Sequence, residues 1–479
     1  MDARTETRHI PLCVDLDGTL LAADTLWEGA AIILLRNPLM LFPMLFWLAK
    51  GKARLKHEVA LRSGRKAQDW PYRQAVIDRL AEERKAGREL VLVTGAAPSV
   101  ARDVADHVGL FSSVMHSTDA LNLTSSRKRQ ALVDRFGDGA FDYMGNSRDD
   151  IAVFEVARRA IVVAPDAAAE KWRRNHDAER LETGKVSALA PLKSIRVHQW
   201  AKNVLIGVPM ILNHEVLHFD AIMSVIVAFF AFSFLASAVY VINDLSDLAN
   251  DRRHAKKRHR PLASGQMSVP TALILAGCLV LASLSLTLLL PWKFAGVLAF
   301  YACATTAYTF VLKRKLLVDV FTLAGLYTTR IVAGAAATGT ELSFWLVSFA
   351  IFFFLSLALV KRYAELRITQ DQSGLKKAGR GYHAEDIEAL SQLGMASGCT
   401  CALIMALYVD SAAVKELYRY PQLIWLICPI VLYQMSRVWF LARRGQMPDD
   451  PLVFMIRDWR SQLTGALVVV IMVAATVIP

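Results

Sequence analysis

Two patterns of apolar spacing divide the chain. Up to about residue 165, short apolar runs recur: HIPLCV ahead of Asp15, LVLVTG (90–95), SSVMHS (112–117), FDYMG (141–145) and AIVVAP (160–165). Stretches of helical periodicity, such as 99–108 and 150–158, lie between them. Buried strands alternating with helices predict a parallel, doubly wound α/β sheet, whose ligands bind beyond the carboxyl ends of the strands. From about residue 200 the apolar runs lengthen toward the twenty residues that span hydrocarbon. They fall near 201–217, 219–242, 269–291, 294–312, 316–338, 342–360, 388–409, 421–442 and 461–478. The second pattern predicts an all-α polytopic membrane bundle of nine transmembrane helices.

The expected organisation is therefore multidomain: an α/β Rossmann-like domain over residues 1–170, a polar linker over 171–195, and a membrane domain over 196–479. One apolar stretch breaks the first pattern. GAAIILLRNPLMLFPMLFWLAK (29–50) is interrupted by Arg36, Pro38 and Pro43, and Lys50, Lys52, Arg54 and Lys56 follow. It reads as part of a helical cap, about residues 20–75, lying on the cytoplasmic membrane face. A fully buried helical hairpin is the alternative.

Charge changes the picture next. The net charge of +12 and the 54% hydrophobic content do not describe a nucleic-acid groove, because the basic excess sits in short loops between spans. Loops after the second, fourth, sixth and eighth predicted helices hold twenty Lys and Arg, against Lys293, Lys415 and Arg419 in the opposite loops. Basic loops stay in the cytoplasm. The expectation is an inner-membrane, multi-pass protein with its N-terminal domain in the cytoplasm and its C-terminus outside. The six cysteines lie in apolar stretches without zinc or disulfide spacing, and the polar N-terminus lacks the apolar core of a secretory signal.

Polar residues collect where the predicted strands end. Asp15-Leu16-Asp17-Gly18-Thr19 follows the first strand and Thr94 closes the second; Lys128 and Gly145-Asn146-Ser147-Arg148-Asp149-Asp150 come later. DLDGT, VTG, a lysine and GNSRDD in that order resemble the haloacid dehalogenase superfamily of phosphohydrolases. The resemblance implies that Asp15 is the nucleophile and Asp17 the general acid and base. It further implies that Thr94 and Lys128 hold phosphoryl oxygens, and that Asp15, Asp17, Asn146 and Asp150 surround Mg²⁺. Asn146 departs from the aspartate common at that position.

The second cluster, NDLSDLAND (243–251), ends an apolar run and precedes RRHAKKRHRP. Asp244, Asp247 and Asp251 recur at i, i+3 and i+7, which would place them on one face of a continuous helix. Hard oxygen ligands of this kind suit magnesium carrying a diphosphate. The motif resembles the first aspartate motif of the UbiA superfamily of membrane prenyltransferases. SIRVHQWAKN, KRYAEL and MPDDPLVFMIRDWRSQL further resemble its decaprenyl-phosphate phosphoribosyltransferase branch. That likeness implies transfer of 5-phosphoribose from phosphoribosyl diphosphate to a polyprenyl phosphate lipid, with Mg²⁺ on the three aspartates. Asn243, Arg196, Lys202, Arg258, Lys361, Arg362 and Tyr363 are then substrate-binding candidates. Asp319 and Arg330 are read as an interior, structural pair. The attached phosphatase would remove the 5-phosphate to give polyprenylphosphoryl ribose, a process suited to a cell-wall lipid precursor. Rival readings are an aromatic prenyltransferase of quinone or haem biosynthesis with an unrelated phosphatase, and a transporter or membrane-anchored phosphatase. No nucleic-acid partner is expected, and a homo-oligomer is compatible with the sequence.

Overall fold

The computed structural model describes residues 10–118, 122–182, 189–373, 381–411, 414, 418–448 and 450–477. Lys376, Lys377, Arg380, Lys415 and Asp449, all noted in the sequence, lie outside the described residues. The chain divides into two compact units. The first comprises Met1–Ile195 with Tyr240–Ala276, and the second Arg196–Val239 with Gly277–Pro479.

In the first unit, six parallel strands form one sheet: β1 (Leu12–Val14), β2 (Leu90–Thr94), β3 (Ser113–His116), β4 (Asp142–Gly145), β5 (Arg159–Val163) and β6 (Glu179–Leu181), ordered β3-β2-β1-β4-β5-β6. Strands β1, β2 and β4 are buried along their whole length, which is why they read as continuous apolar runs. The chain winds outward through β2 and β3, then returns to the other side of β1 at β4. Val14 is thus in register with both Leu92 and Met144. That reversal opens a crevice beyond the ends of β1 and β4. Strand β6 falls in the stretch expected to be linker; only three residues long and carrying Glu179 and Arg180, it has no apolar run to announce it.

The apolar stretch after β1 folds as α1 (Thr25–Arg36) and α2 (Leu41–Ala49), with α3 (Lys52–Ser63) behind them. Asp24 caps α1 by accepting from the Trp27 amide at 3.0 Å, and the chain leaves helical geometry at Asn37, as the residue before a proline must. Ala30, Ile33, Met44 and Val59 form the small core of this cap. Leu39, Phe42 and Phe46 on the same stretch are 70%, 69% and 59% exposed. Those side chains are not covered by protein.

The second unit is helical. Among the described residues of the chain, seven helices are long and apolar enough to cross a membrane: Phe219–Ser246, Val269–Thr287, Val318–Thr338, Phe344–Arg367, Ala384–Val409, Pro421–Arg443 and Trp459–Thr476. Nine were expected. The first expected span is instead a 3-10 stretch, Val197–Gly207, followed by the short helix Val208–Leu212, which ends at Asn213. Trp292–Phe310 is a 19-residue helix, but Lys293 and its tyrosine and threonine side chains keep it out of the seven. The 3-10 stretch packs inside the unit: Gly334 has no side chain because the Ile206 carbonyl oxygen lies 2.0 Å from where its Cβ would be.

One buried charge cluster holds the sheet at its amino end. Asp142 opens β4 and is 1% exposed. It accepts from Arg158 Nε at 3.0 Å and Nη2 at 2.9 Å, and from Arg88. Removing one partner of a buried pair strands the others, at a cost of roughly 3–5 kcal/mol. Asp142→Ala is expected to destabilise the first unit by about that amount, measured as faster proteolysis within residues 10–182 of the full chain in detergent. Unchanged proteolysis contradicts it.

Candidate active sites

The residues at the ends of β1, β2 and β4 meet in the crevice. Lys128 enters from the helix Ser126–Phe136 and donates to Asp15 Oδ1 at 2.8 Å, Asp150 Oδ1 at 3.1 Å and the Tyr143 hydroxyl at 2.9 Å. Asp17 accepts from the Thr25 amide at 2.8 Å and the Thr25 hydroxyl at 3.3 Å. Gly18, at φ +80°, makes the turn between them; a Cβ there would meet the Asn146 side chain at 2.2 Å. Thr94 is fully buried and its Oγ1 accepts from the Ala96 amide at 3.0 Å. Asp15, Asp17, Gly18, Lys128, Asn146 and Asp150 line a cavity of about 440 Å³; Thr25, Thr94 and Tyr143 are not on its wall.

The two β1 carboxyls are tuned upward. Burial raises Asp15 to about 6, even though the Lys128 ammonium pulls the other way. Burial, then the charges of Asp24 and Asp15, raise Asp17 to about 7. Asp150 goes down: burial works against its ionised form, but Lys128, Tyr143 and the amides of Asn146 and Ser147 outweigh it. Its Oδ1 accepts from Lys128 and Tyr143, and its Oδ2 from both amides and the Ser147 hydroxyl. Both oxygens are thus engaged by protein donors, and Asp150 lines the cavity beside Asp15 and Lys128. Asp15 and the Asn146 amide remain on the cavity wall with Asp17 and Asp149. That oxygen-rich set fits magnesium, which takes one or two carboxylates and completes its shell with water and phosphate.

Two basic residues not expected at the site, Lys56 and Arg73, also reach it. Lys56 on α3 donates to the Gly95 carbonyl at 2.8 Å, and Arg73 Nε to the Gly18 carbonyl at 3.1 Å; both line the cavity. They lie outside any motif and reach the crevice only through the folded cap.

The aspartate motif also belongs to the first unit, within Tyr240–Ala276. The long helix Phe219–Ser246 stops before Asp247, and a second, short helix runs Leu248–Arg253. The three acids therefore do not share one continuous helix face. Asp244 Oδ1 and Asp251 Oδ2 converge instead on Arg260 Nη1, at 2.9 and 2.7 Å, while Asp247 sits at the break. Burial raises the Asp251 carboxyl, with Arg260 opposing. The cation at this cluster is Arg260 and not Arg258, which is exposed beside His259. Two carboxylates aimed at one point fit magnesium shared with a diphosphate, and no set of three His, Cys, Asp or Glu converges as a complete ligand shell among the described residues. Asn243 is half-buried one residue ahead.

Within the second unit, Lys202 pairs with Asp450 and lies over the Tyr327 ring. Lys361 is half-buried, and Tyr363 packs against Trp439 at 5.8 Å. Arg362 is 2% exposed and donates to Asp319 and Glu365. Asp319 and Arg330 are not a pair. Asp319 accepts from Arg362 and Tyr382, and Arg330 donates to Asn203 Oδ1 at 2.8 Å and the Leu326 carbonyl at 2.6 Å. Asn203 donates in turn to Ser233 Oγ at 2.8 Å.

A parallel α/β sheet with a polar crevice, joined to a helical membrane bundle, defines a multi-pass membrane protein. The UbiA prenyltransferase family matches residues 204–457, and the chain belongs to that family. Uncharacterized protein y4nM of Sinorhizobium fredii is 37% identical over 473 residues, 96% of this chain and 90% of that protein. Nodulation protein NoeC of Azorhizobium caulinodans is 31% identical over 283 residues, 58% of this chain and 90% of NoeC. Decaprenyl-phosphate phosphoribosyltransferase of Mycolicibacterium smegmatis is 32% identical over 226 residues, 46% of this chain and 71% of that enzyme.

Arg260 is the cation that lets Asp244 and Asp251 lie buried together. Arg260→Ala is expected to cost roughly 3–5 kcal/mol. The loss should be larger at pH 8 than at pH 5: a carboxyl whose folded pKa is raised favours the folded state at low pH and loses that contribution as pH rises. Melting in detergent at the two pH values checks this, and an equal loss at both contradicts it.

Proposed function

We propose that the chain is a membrane enzyme with two linked activities. The membrane domain transfers 5-phosphoribose from phosphoribosyl diphosphate to a polyprenyl phosphate, and the N-terminal domain removes the 5-phosphate. The transferase reading rests on membership of the UbiA family, on the resemblance to decaprenyl-phosphate phosphoribosyltransferases, and on the two carboxylates converging on one cation. The phosphatase reading rests on one observation above all: Lys128 held between Asp15 and Asp150 at the crevice of a parallel sheet, with Asp17 tuned to neutrality beside it.

In the transfer, the bond between C1 of the ribose and the diphosphate breaks as an oxygen of the lipid phosphate bonds to C1; diphosphate leaves. Asp244, Asp247 and Asp251 hold the leaving end, with Asn243 beside them. Arg196, Lys202 and Lys361 supply positive charge for the acceptor phosphate. Bound there, Mg²⁺ would neutralise charge on the departing diphosphate. In the hydrolysis, Asp15 attacks phosphorus and the ester oxygen leaves with the proton of Asp17; Asp17 then deprotonates the water that releases phosphate from Asp15. Lys128 and Thr94 stabilise the phosphoryl oxygens.

For orientation, we propose the basic loops and the N-terminal domain in the cytoplasm of a bacterial inner membrane, the C-terminus outside, and the exposed apolar face of α2 in the lipid headgroup layer. This requires Val197–Leu212 to cross. Its 11 residues of 3-10 and 5 of α-helix rise about 30 Å, the thickness of the hydrocarbon core.

Purified protein given radiolabelled phosphoribosyl diphosphate and decaprenyl phosphate is expected to yield polyprenylphosphoryl ribose. Asp15→Asn should accumulate the 5-phosphorylated lipid, and Asp244→Ala should stop both products. Failure of Asp15→Asn to accumulate it rejects the linked reaction. Phosphate release should also follow a bell-shaped pH profile. It rises as Asp15 ionises near pH 6 and falls as Asp17 loses its proton near pH 7; a profile that keeps climbing above pH 8 contradicts those roles.

A further inference from the structure

The cavity has two chemically different sides. One carries Asp15, Asp17, Lys128 and Asn146. The other is built partly by Gly265–Pro270, the segment that follows the basic stretch after the aspartate motif, and both belong to the first unit. This segment, Gly265-Gln266-Met267-Ser268-Val269-Pro270, carries no charge. At about 440 Å³ the space exceeds what a phosphoryl group fills and lies in the ~300–1,000 Å³ range of sites that enclose a whole ligand.

We propose that Gly265–Pro270 is the substrate-recognition wall of the phosphatase cavity, clamped in place by Arg252 and Arg253, and that it selects phosphomonoesters whose far end carries an apolar tail. This rests on the phosphatase reading and adds the residues that select its lipid-tailed substrate. The phosphoryl end is drawn to Lys128, so the remainder of the ligand lies against the uncharged wall; Met267, Val269, Pro270 and Trp27 of the cap all line the cavity. The wall is fixed at close range. Gly265, at φ +75°, lies so near the cap that a Cβ on it would be 2.1 Å from the Ala22 carbonyl oxygen. Arg252 grips Glu28 with Nη1 at 2.9 Å and Nη2 at 2.5 Å, and its Nε donates to the Ala263 carbonyl at 3.0 Å, two residues before the wall. Arg253 holds Asp69 with Nε at 3.0 Å. Glu28, 4% exposed, lines the cavity itself. Arg252 is therefore a positioning residue, acting on substrate through Glu28 and the wall.

Two probes test this on the full chain in detergent: ribose 5-phosphate, and synthetic farnesylphosphoryl ribose 5-phosphate. The wild type is expected to prefer the tailed compound in kcat/KM by at least about tenfold. Met267→Ala, Gly265→Val and Arg252→Gln are each expected to reduce that preference about five- to tenfold, through the KM of the tailed compound and with little change in its kcat. Because Gly265→Val strains the backbone, Met267→Ala is the deciding variant. If it lowers kcat/KM for both probes equally, or leaves the preference intact, the wall is not a recognition surface although the phosphatase stands. If the wild type releases phosphate from neither probe, or release survives Asp15→Asn, the phosphatase reading fails, and the wall with it.

Discussion

Everything at the crevice depends on a single buried ammonium. Lys128 is withdrawn from water together with two carboxylates, an arrangement stable only where each charge finds close partners. The partners are unequally shared. Asp150 has donors on both oxygens and stays ionised below its ordinary range. Asp15 has Lys128 and, at 3.4 Å, the Thr19 hydroxyl, so burial prevails and its proton affinity rises toward neutrality. One cation thus makes a permanent anion behind it and a titratable carboxyl in front. Asp17, a turn away and bonded mainly to Thr25, is left as the group that still holds a proton near pH 7. Two carboxyls with different environments and different protonation states are what acid–base work requires.

The same logic runs through the rest of the chain. Glu28 lies between Arg65 and Arg252, Asp142 between Arg88 and Arg158, and Arg362 between Asp319 and Glu365. In the second unit, where helices pack without help from water, the polar bridge from Ser233 through Asn203 to Arg330 does what apolar contact alone does poorly in lipid: it ties particular helices together.

Much of this was legible in the residues. Strands buried on both sides announce themselves as unbroken apolar runs, so β1, β2 and β4 and the polar positions Asp15, Thr94 and Asn146 at their ends could be read directly. Other features leave no local trace. β6 is too short and too charged; Val197–Gly207 has the composition of a span but the geometry of a 3-10 stretch. The i, i+3, i+7 spacing of the three aspartates assumed an unbroken helix, which ends before Asp247. Arg260 could not be told from its five basic neighbours, because only the course of the chain between Arg253 and Arg260 brings it between Asp244 and Asp251. The roles of Asp319, Arg330 and Arg362 depend on which helices meet, and no periodicity along one helix encodes that.

The first unit is discontinuous: the sheet domain closes only with Tyr240–Ala276, a segment that comes after the first stretch of the membrane bundle. The two halves of the gene product are consequently not interchangeable cassettes. Recombination that exchanged the soluble half for another would leave Glu28 and Asp69 without Arg252 and Arg253, two acids committed to cations encoded elsewhere. In this chain the helix that follows the first stretch of the bundle is thereby tied by charge to the domain that precedes it.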